Sequence, residues 1–579
     1  MTNAKYFLKP KTTAHKRYEA LRAYYIDNLS QERAADRFGY TTNSFRALVR
    51  DFKHGRLDFF IEKTRGPTAR RTPPAVHEMI VELRKKNKSV YDICDILDEE
   101  GVHVSDATVR RILRSEGFAR LSRRTDRERG ITKKRSLLPE KARLLDFATL
   151  SPTTLKCQVA GIYSFIPYLL RLDLAGLVER SSLPGTSTIP ALNHILSVLA
   201  LKFIGGERLS HIDNYNLDRG FGLFAGLNVL PKATTMSTYT YGVDKQAIDA
   251  FMKDFVLKLR SLSDEDHDYY GGDTINLDFH VVPNCSEGEP SLEGNWSTTR
   301  NRNIRSALTF FAHDGDSTML NYVNADIRRD EASNEILRFV DHWLHVKGVM
   351  DQTLVFDSGL TNYDVLGQLH GEGIKFLTLR RRGAKIVEEA YAIPDGKWER
   401  VKLDIPKRKH TRFKAFQHTI TLPKQDFEVN EIIIKEHGRP MPTFMITNNF
   451  DFTVTEAATL YARRWRIENT IAELVDFFSL NALSSPVAIR IHFDVLMTMV
   501  ASTVYRLFVQ DLRGYESIKA RTAFSKFINS TGKVTVDGES IRVKMRKKAH
   551  TPVLKSNKVF REKWSVPWWG DRNLHYAWR

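Results

Sequence analysis

Cysteine is nearly absent from this chain. Its 579 residues hold three, Cys94, Cys157 and Cys285, too far apart for metal-ligand spacing. That excludes a thiolate metal site and fits a reducing compartment in which the three serve as small buried hydrophobes. Long apolar runs are missing as well. The longest candidate, residues 495–509, follows Asp494 and is interrupted by Arg506, so no stretch is long and charge-free enough to cross a bilayer. Residues 1–20 carry charges without an apolar centre, so a signal peptide is not expected. Acidic residues fall short of basic ones, 69 against 88, and the formal net charge is +19. Such a balance points to a polyanionic partner, nucleic acid or an acidic membrane surface, and the missing spans favour nucleic acid in the cytoplasm. The length predicts several domains with a large core.

What is present begins with two helical units. In residues 30–52, Ser30 can cap a helix through Phe38 and Gly39 breaks it. Thr42 can cap a second helix carrying Phe45, Leu48, Val49 and Phe52, from which Arg46 and Arg50 project. In residues 89–118, Tyr91, Ile93, Ile96 and Leu97 give an apolar face that ends at Gly101. Ser105 then caps a helix with Val109, Ile112 and Leu113 inside and Arg110, Arg111 and Arg114 outside. Short turns between such helices suit helix-turn-helix units that seat one helix in a major groove, although ordinary helical hairpins share the pattern. The connectors are basic. Residues 64–74 carry Arg65, Arg70 and Arg71 among prolines and could lie along a minor groove, and residues 120–135 could track phosphates or simply be solvated.

From residue 137 to about 261 the chain reads as helical, with breaks at Pro167, Pro184, Pro190 and Pro231 and a core segment at 190–203. Strands then take over. Residues 274–282 alternate, with Ile275, Leu277, Phe279 and Val281 on one face and Asn276, Asp278 and His280 on the other. An Asp within such a run is costly unless it is paired or binds metal. Strands at 307–312 and 319–324, a helix at 333–346, a strand ending at Asp357, a helix at 361–370 and a strand at 374–379 follow. A strand end beside a loop is where open α/β sheets display chemistry.

The most informative stretch is residues 461–478. At about 100° per residue, Leu460, Ile467, Ile471, Leu474 and Phe478 form one apolar stripe, with Tyr461, Arg464 and Glu468 together at its edge. A phenol, a guanidinium and a carboxylate on one helical face suit a place where metal and phosphate meet. Glu473 lies roughly 140° away and is the poorer candidate. An amphipathic helix with solvated charges would give the same periodicity.

These residues resemble the DD-E transposases of the insertion-sequence-four superfamily, whose signature spaces Tyr, Arg, Glu and Lys as Tyr461, Arg464 and Glu468 are spaced here. Val475 stands in the position of the Lys. The likeness spans roughly residues 190–512. It implies a ribonuclease-H-like catalytic domain in which Asp278, Asp357 and Glu468 hold two divalent ions, Mg²⁺ or alternatively Mn²⁺, and are both catalytic and metal-binding. It implies that Tyr461 and Arg464 contact DNA phosphate. It also implies a β-rich insertion between the second Asp and the Glu, here 468 − 357 = 111 positions apart. Trp398 within that insertion is a candidate for stacking on an extruded base. His280 shares a face with Asp278 but reads as a core histidine, and Arg463 and Arg466 read as helpers or surface charges.

The expected fold is multidomain, with N-terminal all-α helix-turn-helix units and an α/β ribonuclease-H-like catalytic domain with a β-rich insertion. The expected segments are a first unit at 1–60, a basic linker at 61–75, a second unit at 76–119, a basic linker at 120–136 and a helical domain at 137–261. The catalytic domain follows at 262–381 and 453–512 around an insertion at 382–452, and the C-terminal segment is 513–579. The resemblance implies a DNA transposase that binds terminal inverted repeats, cleaves them hydrolytically and joins the 3′-hydroxyl ends to target DNA. Its working form would be a homodimer, in a prokaryotic cytoplasm at the nucleoid and away from any membrane. A catalytically inactive, domesticated DNA-binding derivative is the alternative, and a ribonuclease-H-like repair or RNA-processing nuclease is a second. Everything requires the three acids to gather around the ions.

Overall fold

Side-chain caps decide where the first helices begin. In the computed structural model, which describes residues 12–57, 59, 72–119, 121, 140–283, 293–297, 302–403, 411–482 and 487–578, helices α1 (Thr13–Tyr25), α2 (Gln31–Arg37) and α3 (Thr42–Lys53) come first. Most of both basic connectors, and Cys285, lie outside the described residues. Ser30 caps α2 by accepting from the Arg33 amide. The cap of α3 is Thr41 rather than Thr42: its hydroxyl accepts from the Ser44 amide, which makes Thr42 the first helical residue. Alanines 20, 34 and 35 let the helices close on Phe45, Leu48 and Val49. Phe52, expected inside, is 41% exposed. The chain divides into two compact units, Met1–Pro73 and Pro74–Arg579.

The larger unit opens with three helices, α4 (Pro74–Lys85), α5 (Val90–Glu99) and α6 (Asp106–Ser115). The helix-turn-helix reading omitted α4, although Val76, Ile80 and Val81 give it a buried face at helical spacing. Ser89 caps α5 in a reciprocal box with Asp92, and Ser105 caps α6. Tyr91, placed on the apolar face by its sequence, is exposed instead and lies under the Arg110 guanidinium.

The stretch from 137 to 261 is mostly helical, including α7 (Ala191–Phe203), buried almost all round, and α8 (Lys245–Arg260). It also holds β1 (Thr153–Cys157), a strand that its sequence did not announce. No single described helix is long and apolar enough to cross a membrane.

The main sheet starts with β2 (Thr274–Pro283), β3 (Glu293–Ser297), β4 (Arg302–Asp314) and β5 (Leu320–Ile327), followed by α9 (Glu335–Lys347), β6 (Thr353–Phe356), α10 (Tyr363–Gly371) and β7 (Phe376–Leu379). Strand, strand, strand, helix, strand, helix, strand is thus observed, with the short β3 added. In space β2 lies between β4, antiparallel to it, and β6, parallel to it. Both faces of the first half of β2 are buried, which the alternation of its sequence did not show. Strands β8 (Glu399–Lys402), β9 (Arg412–Thr421), β10 (Glu428–Lys435) and β11 (Thr443–Thr447) lie in the stretch expected to be a β-rich insertion, and they continue the same sheet, because β11 pairs antiparallel with β7.

After β11 the chain forms α11 (Val454–Arg463), α12 (Trp465–Asp476) and the long, buried α13 (Ala488–Gln510). A second sheet, in the order β1-β12-β13-β15-β14, is built from β12 (Gly532–Asp537), β13 (Ser540–Met545), β14 (Trp564–Val566) and β15 (Arg572–Trp578). The indoles of Trp568 and Trp569 donate to the Phe224 and Leu223 carbonyls, so this end of the chain closes the core.

Candidate active site

Sheet register is what brings the two aspartates together. Leu277 of β2 and Phe356 of β6 are partners across a parallel pair. One step further along each strand come Asp278 and Asp357, on neighbouring strands roughly 4.8 Å apart in the hydrogen-bonding direction. Asp357 has just left β6, where its carboxylate accepts from the Gly359 amide in a tight turn. Packing of α12 against β2 and β4 adds the third acid. Ile467, Ile471 and Leu474 are buried in the main core, which turns Glu468 out at the margin with 56% of its side chain exposed.

The helix expected to run unbroken through this motif is two helices, α11 and α12, meeting at Arg464. The Arg464 amide is shared between the Leu460 and Tyr461 carbonyls, at 3.2 Å each. Leu460 consequently packs with Val355, Leu377 and Val401, apart from the Ile467 stripe. Arg464 nevertheless keeps helical dihedrals, φ −51° and ψ −33°, so the helical phase carries through and Tyr461, Arg464 and Glu468 stay neighbours.

Arg464 is the electrostatic centre of the group. Its guanidinium donates to Glu468 Oε1 at 2.6 Å and to Asp278 Oδ2 at 3.4 Å, and stands 5.6 Å from the centre of the Tyr461 ring. Burial works against its charge, but Tyr461, Asp278, Glu468 and Asp357 more than offset that and hold its pKa above the ordinary arginine value. Its Nε is buried and has no hydrogen-bond partner. Burial pushes the Tyr461 phenol up to about 12. Burial also pushes Asp278 up to about 7; Arg464 pulls it down, while the charges of Asp357 and Glu468 push it further up. Asp278 thus feels both other acids.

Three carboxylates are hard oxygen donors of the kind that suits Mg²⁺ or Mn²⁺. Among the described residues, no three His, Cys, Asp or Glu side chains are drawn close enough to share one ion. The physical reason is visible: the Arg464 guanidinium lies between Asp278 and Glu468, a cation standing where positive charge is called for. The donor set, and a carboxyl raised by burial and further by neighbouring carboxylates, fit a divalent ion. An ion held by these carboxylates would supply the positive charge that Arg464 supplies to Asp278 and Glu468 here.

Several other residues have settled structural roles. His280 is half-buried beside Asp278, bonded to Asn481 at 2.7 Å, and desolvation holds its pKa below the usual histidine value. Arg466 anchors the β4–β5 turn through the Gly315 carbonyl. Arg463 is exposed on α11. Trp398, the candidate for base stacking, is instead packed with Val387, Ala390, Ile433 and Phe444. Its indole donates to the Ile393 carbonyl and Lys435 Nζ covers its ring at 3.8 Å. Arg46 and Arg50 are exposed on α3, with Arg46 3.7 Å from Glu32. Arg110, Arg111 and Arg114 are exposed on α6. Sequence reasoning missed that Arg114 and Ser115 line the same pocket as Asp278 and Glu468. No local signal could reveal it, since the approach depends on docking between distant segments.

Residues 272–503 match the family model of a transposase DDE domain. The match runs from the start of β2 into α13 and includes Asp278, Asp357 and Glu468. It supports a DDE transposase, a class of metal-dependent nucleic-acid transferases. No curated protein matches the chain.

Proposed function

We propose that this protein is a DNA transposase of the insertion-sequence-four kind, with a ribonuclease-H-like core whose Asp278, Asp357 and Glu468 hold two Mg²⁺ ions, or Mn²⁺ in their place. The observation that carries this reading is the register of β2 and β6, which sets Asp278 beside Asp357 with Glu468 joined to Asp278 through Arg464. Bound ions would supply charge neutralisation at the scissile phosphate and activation of a hydroxyl.

The chain's own groups divide the remaining work. Arg464 exchanges its carboxylate partners for phosphate oxygens, using the forked Nη1 and Nη2 donors that now hold Asp278 and Glu468. Tyr461 stays protonated near neutral pH and donates its hydroxyl to the same phosphate. In-line attack by water cuts the strand at the element's end, and the freed 3′-hydroxyl attacks target DNA in the same geometry, so positioning carries most of the rate. Arg46 and Arg50 on α3, and Arg110, Arg111 and Arg114 on α6, hold the terminal inverted repeats. Pairing of two ends calls for a homodimer in the working complex, in a prokaryotic cytoplasm at the nucleoid.

Replacing Asp278 with Ala abolishes metal-dependent cleavage of duplexes made from the DNA flanking the coding region, while binding of those duplexes persists. Cleavage by the variant at the wild-type rate would refute the assignment.

A further inference from the structure

One wall of the Asp278–Glu468 pocket belongs neither to the main sheet nor to α12. It is the C-terminal end of α6, whose Arg114 and Ser115 line a pocket of about 390 Å³ together with the two carboxylates. The contact is built. Gly117, at φ +78°, lies so close to α12 that a Cβ there would stand 2.6 Å from Val475 Cγ1 and 2.7 Å from the Val475 carbonyl oxygen. Ala482 completes the buried cluster around Val76, Ile80, Leu97 and Leu113. A second attachment joins α4 to the loop after α7: Arg208 donates to the Arg84 and Lys85 carbonyls, and Glu207 lies 3.7 Å from Arg84.

The charges on this wall have different standing. Arg110 is held by the Tyr91 hydroxyl at 3.0 Å and by Asp106 at 3.4 Å. The Arg114 side chain is exposed and makes no hydrogen bond or ion pair among the described residues, although three carboxylates, Asp278, Glu468 and Asp476, share its pocket. Arg464 already occupies Asp278 and Glu468, and Arg521 occupies Asp476. About two turns after Glu468, α12 offers no cation of its own, because Val475 stands there under Gly117. A guanidinium without a carboxylate partner, fixed at the rim of an acid-bearing pocket, has the chemistry to take a phosphate that enters it.

We propose that Arg114 contacts the substrate. Its guanidinium binds a non-bridging oxygen of a DNA phosphate lying in the Asp278–Glu468 pocket, so that α6 forms part of the strand-cutting site as well as binding DNA. The inference rests on the proposed reading of the acids as the site of strand transfer. One helix would then link end binding to cleavage, with Arg111 on the duplex and Arg114 on the phosphate next to the cut.

The test uses the full chain with Mg²⁺ and labelled duplexes from the DNA flanking the coding region, comparing wild type, Arg114→Gln, Arg114→Lys and Asp278→Ala. Arg114→Gln slows single-turnover cleavage roughly ten- to a hundred-fold, the effect of one charge-assisted hydrogen bond. It also lowers the slope of log affinity against log salt by about 0.9, the loss of one phosphate contact. Arg114→Lys restores the salt slope, and the Arg114→Gln protein keeps the wild-type Tm. Unchanged cleavage and slope in Arg114→Gln, or a loss that appears only with a lowered Tm, overturns the proposal while leaving the acidic site intact. If Asp278→Ala cuts normally, the reading of the site falls and this inference falls with it.

Discussion

At the scale of single residues, the proposed chemistry turns on how unfavourable it is to hold Asp278 where it is. A carboxyl on a buried strand, with two further carboxylates in its field, keeps its charge only if a cation comes to it. Arg464 supplies part of that charge in the structure described. Trp398 shows the opposite case, an aromatic that looked available and is core. Trp398→Ala empties a packed site between α-helical and β-strand neighbours and is expected to lower unfolding free energy by about 3 kcal/mol. Urea denaturation checks this. An unchanged midpoint together with defective processing of DNA ends would instead restore the base-stacking role.

At the scale of elements, what could be read from the sequence was whatever local hydrogen bonds and periodicity decide. Ser30 and Ser105 announce helix starts because a hydroxyl beside free amides is a short-range arrangement, and both cap, as Ser89 also does. The Tyr461–Arg464–Glu468 grouping survives a break between two helices because Arg464 retains helical dihedrals there. The break itself was not legible, since Leu460 and Ile467 keep the same spacing whether they enter one core or two. Strand β1 was hidden for a different reason. It finds its partner in β12, nearly 400 residues on, where Thr154 and Thr535 meet at 3.0 Å, and no periodicity within the helical stretch encodes that pairing. Strands β8 to β11 fall within residues 382–452, and their continuation of the main sheet depends on β7 offering an open edge to β11.

At the scale of the whole molecule, the segment 76–119 reads in sequence as a helix-turn-helix unit between two basic linkers, and in structure it belongs to the larger unit. Its attachment includes Glu207, a buried carboxyl whose oxygens lack hydrogen-bond donors and whose pKa burial raises from 4.5 to about 7 against the pull of Arg84 and Arg208. The folded protein therefore holds a proton between those values that the unfolded chain has released. Stability from this group is fully present below about pH 4.5 and is lost as pH rises through about 7, by roughly 3 kcal/mol in all, from (7 − 4.5) at 1.36 kcal/mol per pH unit. Denaturation midpoints measured from pH 5 to 8 are expected to fall for the wild type and to flatten for Glu207→Gln; equal slopes would contradict the assignment.

The central claim is that three acids far apart in the chain hold divalent ions together. Its most direct test is Mn²⁺ binding to the purified full chain, followed by calorimetry. The account predicts about two ions per chain and loss of that binding when Asp278→Asn, Asp357→Asn and Glu468→Gln are combined in a protein that still folds. A triple variant that binds Mn²⁺ with wild-type stoichiometry and affinity would contradict it.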